Sequence, residues 1–241
     1  MIKIFTEILS DVSKKFSLEL TKKQLSQFEI FYKFVVEWNQ KINLTAITSE
    51  KDFAVKHILD SLSLWDDDKF SSTKKIIDIG TGAGFPGIPL KIFKPELEIV
   101  LLDSLSKRVE FLKKVIAELN LKNIICLHGR AEDFAKQKNF REQFDIATTR
   151  AVARLNIISE YCLPFVKVGG NFVALKGKKF LEEISEAKNA VKILGGGEIN
   201  FVEKFLPELD EVRAVIYIDK IKSSPKKFPR KAGTPAKNPL L

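Results

Sequence analysis

Two carboxylates and a set of closely spaced glycines are the residues of this chain best placed to do chemistry. The run Lys75-Ile76-Ile77-Asp78-Ile79-Gly80-Thr81-Gly82-Ala83-Gly84-Phe85-Pro86-Gly87 leads a short apolar strand into a turn with glycine at alternate positions. Only glycine lets a backbone approach a neighbour that closely without a Cβ clash. A second apolar run closes at Leu101-Leu102-Asp103, 23 residues after Gly80. That spacing sets a carboxylate at the tip of the adjacent strand, where it can accept hydrogen bonds from a ribose. Asp78, two residues before the first glycine, can either order the turn or meet a cationic group on the ligand. The pattern points to an adenosine-containing cofactor.

Other side chains could work beside that turn. Arg150 ends the fourth strand candidate, at the carboxyl edge where open α/β sheets bind ligands. Arg154 lies one helical turn on, facing the same cleft or solvent. Lys176 ends the fifth strand candidate beside Gly177 and reads as a contact to substrate or nucleic acid. Asn43 follows a long N-terminal helix and can cover a substrate pocket. His57 and Asp60, three residues apart on one helix, can pair with each other. Cys126 and Cys162 sit in apolar stretches and read as buried structural thiols, not nucleophiles. No metal site is expected.

The elements that must position these groups follow from periodicity. Residues 1 to about 65 read as helical: Thr21-Lys22-Lys23-Gln24 fits a capping box, and Phe28, Phe31, Tyr32, Val35 and Trp38 follow at helical spacing as core. A second helix is expected from Ser49 to Trp65. From Lys75 onward, strands are expected at 75–79, 98–102, 123–127, 144–148, 170–175, 199–205 and 213–220, with helical stretches between most of them. Val109, Leu112, Ile116 and Leu119 mark one helical face. Alternating strands and helices predict a seven-stranded, doubly wound α/β sheet. The connection Pro207-Glu208-Leu209-Asp210 is too short for a crossover helix, so the last hairpin is antiparallel. The organisation expected is a helical N-terminal extension (1–70), a core (71–221) and a basic, proline-rich tail (222–241). With two cysteines, no secretory opening and no membrane-length apolar run, a cytoplasmic setting is expected, away from membranes.

The motif G-x-G-x-x-G alone does not choose a cofactor. Asp78, the Gly80-x-Gly82-x-Gly84 continuation, and Pro86, which removes a pyrophosphate-cradling N–H, favour S-adenosylmethionine over a nicotinamide. Asn39-Gln40-Lys41-Ile42-Asn43-Leu44-Thr45, His57-Ile58-Leu59-Asp60-Ser61-Leu62, the glycine turn, His128-Gly129-Arg130-Ala131-Glu132-Asp133, Arg150-Ala151-Val152-Ala153 and Phe228-Pro229-Arg230-Lys231-Ala232-Gly233-Thr234-Pro235 together resemble the bacterial small-subunit ribosomal RNA methyltransferase G family, formerly called glucose-inhibited division protein B. The resemblance spans nearly the whole chain; a tyrosine is common where Phe228 stands.

The resemblance implies a class I S-adenosylmethionine-dependent methyltransferase fold and methylation of guanine N7 in the 530 loop of 16S ribosomal RNA; a monomer is expected. It implies that Gly80 and Phe85 line the cofactor, Asp103, Ser104 and Leu105 meet its ribose and adenine, Ala131 and Glu132 flank the adenine, and Arg150 lies beside it. It also raises the case for His57 and Asp60 on the substrate side. N7 presents an in-plane lone pair, so no proton must leave before attack, and the site needs alignment and charge stabilisation but no obligatory general base. An oxidoreductase using the same turn lacks a hydride-transfer site later in the chain. A non-catalytic RNA-binding protein would not be expected to keep both Asp103 and Arg150.

Net charge is +9, from 40 basic and 31 acidic residues. From Ile221 to Leu241 the chain carries Lys222, Lys226, Lys227, Arg230, Lys231 and Lys237 and no acid. That tail is either an arm for RNA phosphates or a solvated terminus. Its prolines argue against any regular helix, and a turn at Gly233 can fold Arg230 and Lys231 toward the cleft.

Overall fold

Alternating apolar residues in each central strand feed two separate cores. Ile76, Ile99, Leu101, Ile146, Val173 and Val215 pack on one face of the sheet, and Ile77, Val100, Leu102, Ala147, Phe172 and Ile216 on the other, as a period of two requires. The computed structural model describes residues 4–150, 152–207 and 212–241.

Helices α1 (Phe5–Lys15) and α2 (Lys22–Asn39) come first. The expected capping box opens α2: Gln24 N–H donates to Thr21 Oγ1 (3.2 Å) and Thr21 N–H to Gln24 Oε1 (2.8 Å). Phe28, Phe31 and Val35 are buried together with Phe5, Leu9 and Phe53 in the first of the two cores.

The helix expected over Ser49–Trp65 is interrupted. Ser49 caps α3 (Glu50–Phe53), a π-helical turn covers Ala54–Leu59, α4 (Asp60–Leu62) completes the run, and α5 (Asp67–Phe70) follows. A π turn closes i→i+5 rings. Residues three apart in such a turn therefore fall further from one full turn than they do in an α-helix.

The alternating region comprises β1 (Lys75–Ile79), α6 (Gly87–Phe93), β2 (Glu98–Asp103), α7 (Ser106–Glu118), β3 (Ile124–His128), α8 (Ala131–Phe134), β4 (Phe144–Arg150), α9 (Leu155–Cys162), β5 (Val166–Lys176), α10 (Phe180–Ile193), β6 (Gly196–Lys204) and β7 (Arg213–Lys220). The sheet order is β3-β2-β1-β4-β5-β7-β6. β7 runs antiparallel to both neighbours, and β1 to β5 are parallel. The antiparallel hairpin is as expected; residues 208–210 of its connection lie outside the described residues. β5 begins before the expected 170, because a register shift against β4 absorbs Gly169 and Gly170, which read locally as a turn. Strand order reverses between β1 and β4, so the glycine turn after β1 and Arg150 at the end of β4 flank the crevice where such sheets bind ligands.

The tail is packed on the core, which corrects the reading of a solvated terminus, while Lys222, Lys226, Lys227, Lys231 and Lys237 stay exposed. Ser224, Phe228, Pro229 and Pro235 are buried, and Phe228 joins the second core. Arg230 grips the fully buried Glu160 of α9, its Nη2 2.6 Å and its backbone N–H 2.8 Å from the carboxylate. Arg141 donates to the carbonyls of Phe228 (2.8 Å) and Ser224 (2.7 Å). A single turn, α11 (Thr234–Lys237), does form, with Pro235 near its start, where a missing N–H costs nothing. Among the described residues, no helix is long and apolar enough to cross a membrane.

Candidate functional site

The glycine turn is strapped down on both sides. Gly80 and Thr81 N–H groups donate to Leu102 O of β2 (2.8 and 3.2 Å). Asp78 is fully buried under the turn; its Oδ2 accepts from Thr81 Oγ1 (2.6 Å) and Gly87 N (2.9 Å), while its Oδ1 has no hydrogen-bond partner. Burial pushes the Asp78 carboxyl up to about 7, against the lowering effect of those two donors. Of the two roles open to it, Asp78 takes that of ordering the turn. Asp103 is also buried and accepts from Gly82 N and Leu105 N, each at 2.9 Å, with Arg108 3.6 Å away.

Two glycines show what the turn is for. A Cβ on Gly80 (φ +68°) would stand 2.7 Å from Val152, so the turn and the segment after β4 touch. A Cβ on Gly82 (φ +59°) would meet no atom nearer than 4.0 Å. Gly82 thus presents bare left-handed backbone to open space, as a cradle for a ligand does.

Three cavities line the carboxyl edge of the sheet. The smallest, about 130 Å³, is walled by Gly80, Asp103, Ser104, Ala131 and Glu132, with Ile79, Leu102, Val152 and Tyr161. Five of the expected cofactor residues therefore meet around one space that combines the Asp103 carboxylate with the apolar side chains of Ile79, Leu102, Ala131 and Val152. That donor set fits an adenosine. A central cavity of about 360 Å³ adds Thr45, His57, Gly82, Phe85 and Arg150. The third, about 510 Å³, is lined by Lys56, His57, Asp60, Arg150, Arg154, Lys176, Gly177, Glu183 and Arg213. His57, Arg150 and Val152 border both larger cavities and form the partition between them.

Arg150 is the centre of that partition. Its guanidinium lies 4.7 Å over the Phe85 ring and donates to Lys56 O (2.9 Å), Asp60 Oδ2 (3.0 Å) and His57 Nδ1 (2.9 Å). Because a guanidinium only donates, His57 Nδ1 must accept, so the imidazole proton sits on Nε2. That N–H donates to Thr45 Oγ1 (2.8 Å). Burial first, and Arg150 second, bring the His57 pKa down to about 3, so the ring is neutral. His57 and Asp60 thus meet Arg150 rather than each other, which corrects the pairing expected from their spacing.

Lys176 borders the third cavity with its ammonium already committed to other partners. It is buried, donates to Ala153 O (2.5 Å) and pairs with Glu183 (2.7 Å), pinning the segment after β4. Arg154 pairs with Glu186 (2.6 Å) near the surface. Asn43 is exposed and, with Leu105, lines a separate groove of about 680 Å³ formed by residues 39–43, 104–108 and His128. It therefore borders the Ser104 side of the site, away from Asp60. Glu132 has a second commitment, accepting from Gly233 N of the tail (3.0 Å). Cys126 lies in β3 and Cys162 in α9, and burial raises both thiols, Cys126 to about 12. Sequence reasoning missed Arg213, Tyr161 and Val152. No local signal marks the first two, whereas Val152 lies within a quoted motif.

A seven-stranded doubly wound sheet with one antiparallel strand, a glycine turn after β1 and an acid at the tip of β2 defines a class I S-adenosylmethionine-dependent methyltransferase. An S-adenosylmethionine-dependent O-methyltransferase from Thermotoga maritima shares the fold at TM-score 0.52 and 14% identity, over 79% of this chain and 72% of that one. The family model described as rRNA small subunit methyltransferase G matches residues 24–211. Proteins named ribosomal RNA small subunit methyltransferase G are 48% identical in Alkaliphilus oremlandii (97% of this chain, 98% of that protein) and 49% identical in an Exiguobacterium species (92% and 94%). The chain belongs to the rRNA small subunit methyltransferase G family.

Proposed function

We propose that this enzyme, a cytoplasmic monomer, methylates N7 of a guanine in the 530 loop of 16S ribosomal RNA. Its cofactor is held by Gly80, Phe85, Asp103, Ser104, Leu105, Ala131, Glu132 and Arg150, and the target base enters the Asp60–Arg213 cavity. When bound, S-adenosylmethionine supplies an electrophilic methyl group on a sulfonium. The 130 Å³ cavity is suited to its adenosine, with Asp103 placed to accept from ribose hydroxyls and Gly82 N–H fixing that carboxylate. The partition of His57, Arg150 and Val152 stands between the central cavity next to this space and the cavity on the substrate side.

The observation that carries the reading is the hydrogen bonding of that partition and of the side chains next to it. His57 has both ring nitrogens engaged and stays neutral, Asp60 is tied to Arg150, and Lys176 to Glu183. Neither His57 nor Lys176 is free to take a proton there, and the Asp60 carboxylate keeps one oxygen on Arg150. Attack by a ring nitrogen with a free lone pair needs no proton acceptor, whereas attack by an exocyclic amine or a ribose hydroxyl must shed a proton. What the residues supply is alignment and water exclusion. The test incubates purified enzyme and labelled cofactor with small subunits from a strain lacking the gene. Label in 7-methylguanosine supports the proposal; label in any other nucleoside overturns it.

A further inference from the structure

Resting on the guanine-N7 reading, we propose that Asp60 and Arg213 together read the Watson–Crick edge of the target guanine, so that Asp60 is a specificity-determining residue. The juxtaposition is unusual. Asp60 is buried, with Oδ2 held by Arg150 Nη1 (3.0 Å). Its Oδ1 makes no hydrogen bond; Arg213 Nε stands 3.8 Å away, an ion-pair distance too long for one. A buried carboxylate oxygen left in that state is costly and favours whatever donor can reach it.

Arg213 can make way. Its side chain is a quarter exposed, it starts β7 at the rim of the cavity, and its guanidinium lies against Gly177, where a Cβ would stand 3.3 Å from Nη1. A swing of that end uncovers Oδ1 and leaves a cation beside it. The floor of the cavity then offers an acceptor next to a donor.

Guanine presents the complement. Its N1–H and N2–H donate to a carboxylate while its O6 accepts from a guanidinium; adenine presents a donor and an acceptor in the opposite order. Engagement of that edge leaves the N7 edge unobstructed for the partition side, where Arg150 and His57 lie. Such a site rejects analogues lacking a donor, because its own buried acceptor is then unpaired.

The test uses the full chain and small subunits reconstituted around rRNA with guanosine or inosine at the target position. Inosine keeps N7, O6 and N1–H and lacks the 2-amino group. Two readouts are taken: binding in the presence of S-adenosylhomocysteine, and the rate of N7 methylation. Wild type should bind and methylate the inosine substrate about 10-fold or more less well. In Asp60→Asn that preference should collapse toward unity, with S-adenosylhomocysteine affinity retained. Gly177→Ala, which crowds only Arg213, should reduce guanosine methylation and spare cofactor binding. Equal handling of guanosine and inosine by wild type overturns the proposal, a result that needs no variant to fold. So does an undiminished preference in Asp60→Asn. Absence of N7 methylation on the guanosine substrate would instead defeat the underlying reading.

Discussion

Arg230→Ala offers a sharp test of what the tail does. Glu160 is fully buried, and Arg230 gives it four hydrogen bonds of 2.6 to 3.1 Å, three from the guanidinium and one from the backbone. Truncation leaves one backbone donor for a carboxylate that cannot reach water. Breaking a buried pair in this way costs ~3–5 kcal/mol. At ~2–4 °C per kcal/mol for a chain of this size, the melting temperature should fall by ~6–20 °C. Because Gly233 N–H donates to Glu132 beside the adenosine cavity, S-adenosylhomocysteine affinity should fall as well. Arg230→Met combined with Glu160→Gln should recover most of the loss, since no buried charge is then stranded. The assays are thermal denaturation and calorimetric titration, with the salt dependence of RNA binding as a control. A melting temperature within 2 °C of wild type, together with a flatter log-affinity against log-salt slope, would refute this account and restore the tail as a phosphate-gripping arm.

Asp103→Ala should weaken S-adenosylhomocysteine binding by ~1.5–3 kcal/mol, the worth of a charge-assisted hydrogen bond, as read by calorimetry; unchanged affinity would remove Asp103 from the cofactor site. Asp78 and His57 make opposite contributions to stability against pH. From about pH 4 to 6.5 the folded chain keeps a proton on Asp78 that the unfolded chain has lost, which lowers stability as pH rises. Over the same window it lacks the proton that unfolded His57 binds, which raises stability as pH rises. Asp78→Asn should therefore gain stability relative to wild type by ~1.4 kcal/mol per pH unit through that window, and His57→Gln should show the reverse trend. Denaturant titrations at four pH values give the slopes, and a pH-independent difference for Asp78→Asn would contradict its raised pKa.

The fold was readable because its signals are short in range. Period-two apolar runs, the capping box at Thr21 and the glycine turn each depend on neighbours in sequence. The carboxylate at the tip of β2 was legible for the same reason: Asp103 follows an apolar run of fixed length. What stayed hidden depends on contacts far apart in the chain. The π turn that carries His57 has no distinctive composition, and the guanidinium that His57 and Asp60 share lies 93 and 90 residues away. Lys176 and Arg230 look alike as basic residues near a cleft. Only Glu183 and the buried Glu160, from other elements, show that both are held in ion pairs within the fold. Arg213 carried no signal, since its meaning comes from the uncommitted oxygen of Asp60 and the space left by Gly177.

The central claim is that this chain places a methyl group on N7 of one guanine of small-subunit rRNA. The most direct measurement is 7-methylguanosine mapped along that rRNA in a strain lacking the gene, in its parent, and in the deletion strain carrying either wild type or Arg150→Ala. The account predicts one modified guanine in the 530 loop that is lost on deletion, regained with wild type, and absent or strongly reduced with Arg150→Ala. Retention of that 7-methylguanosine in the deletion strain would contradict it, as would loss of a methyl group from any other atom in its place.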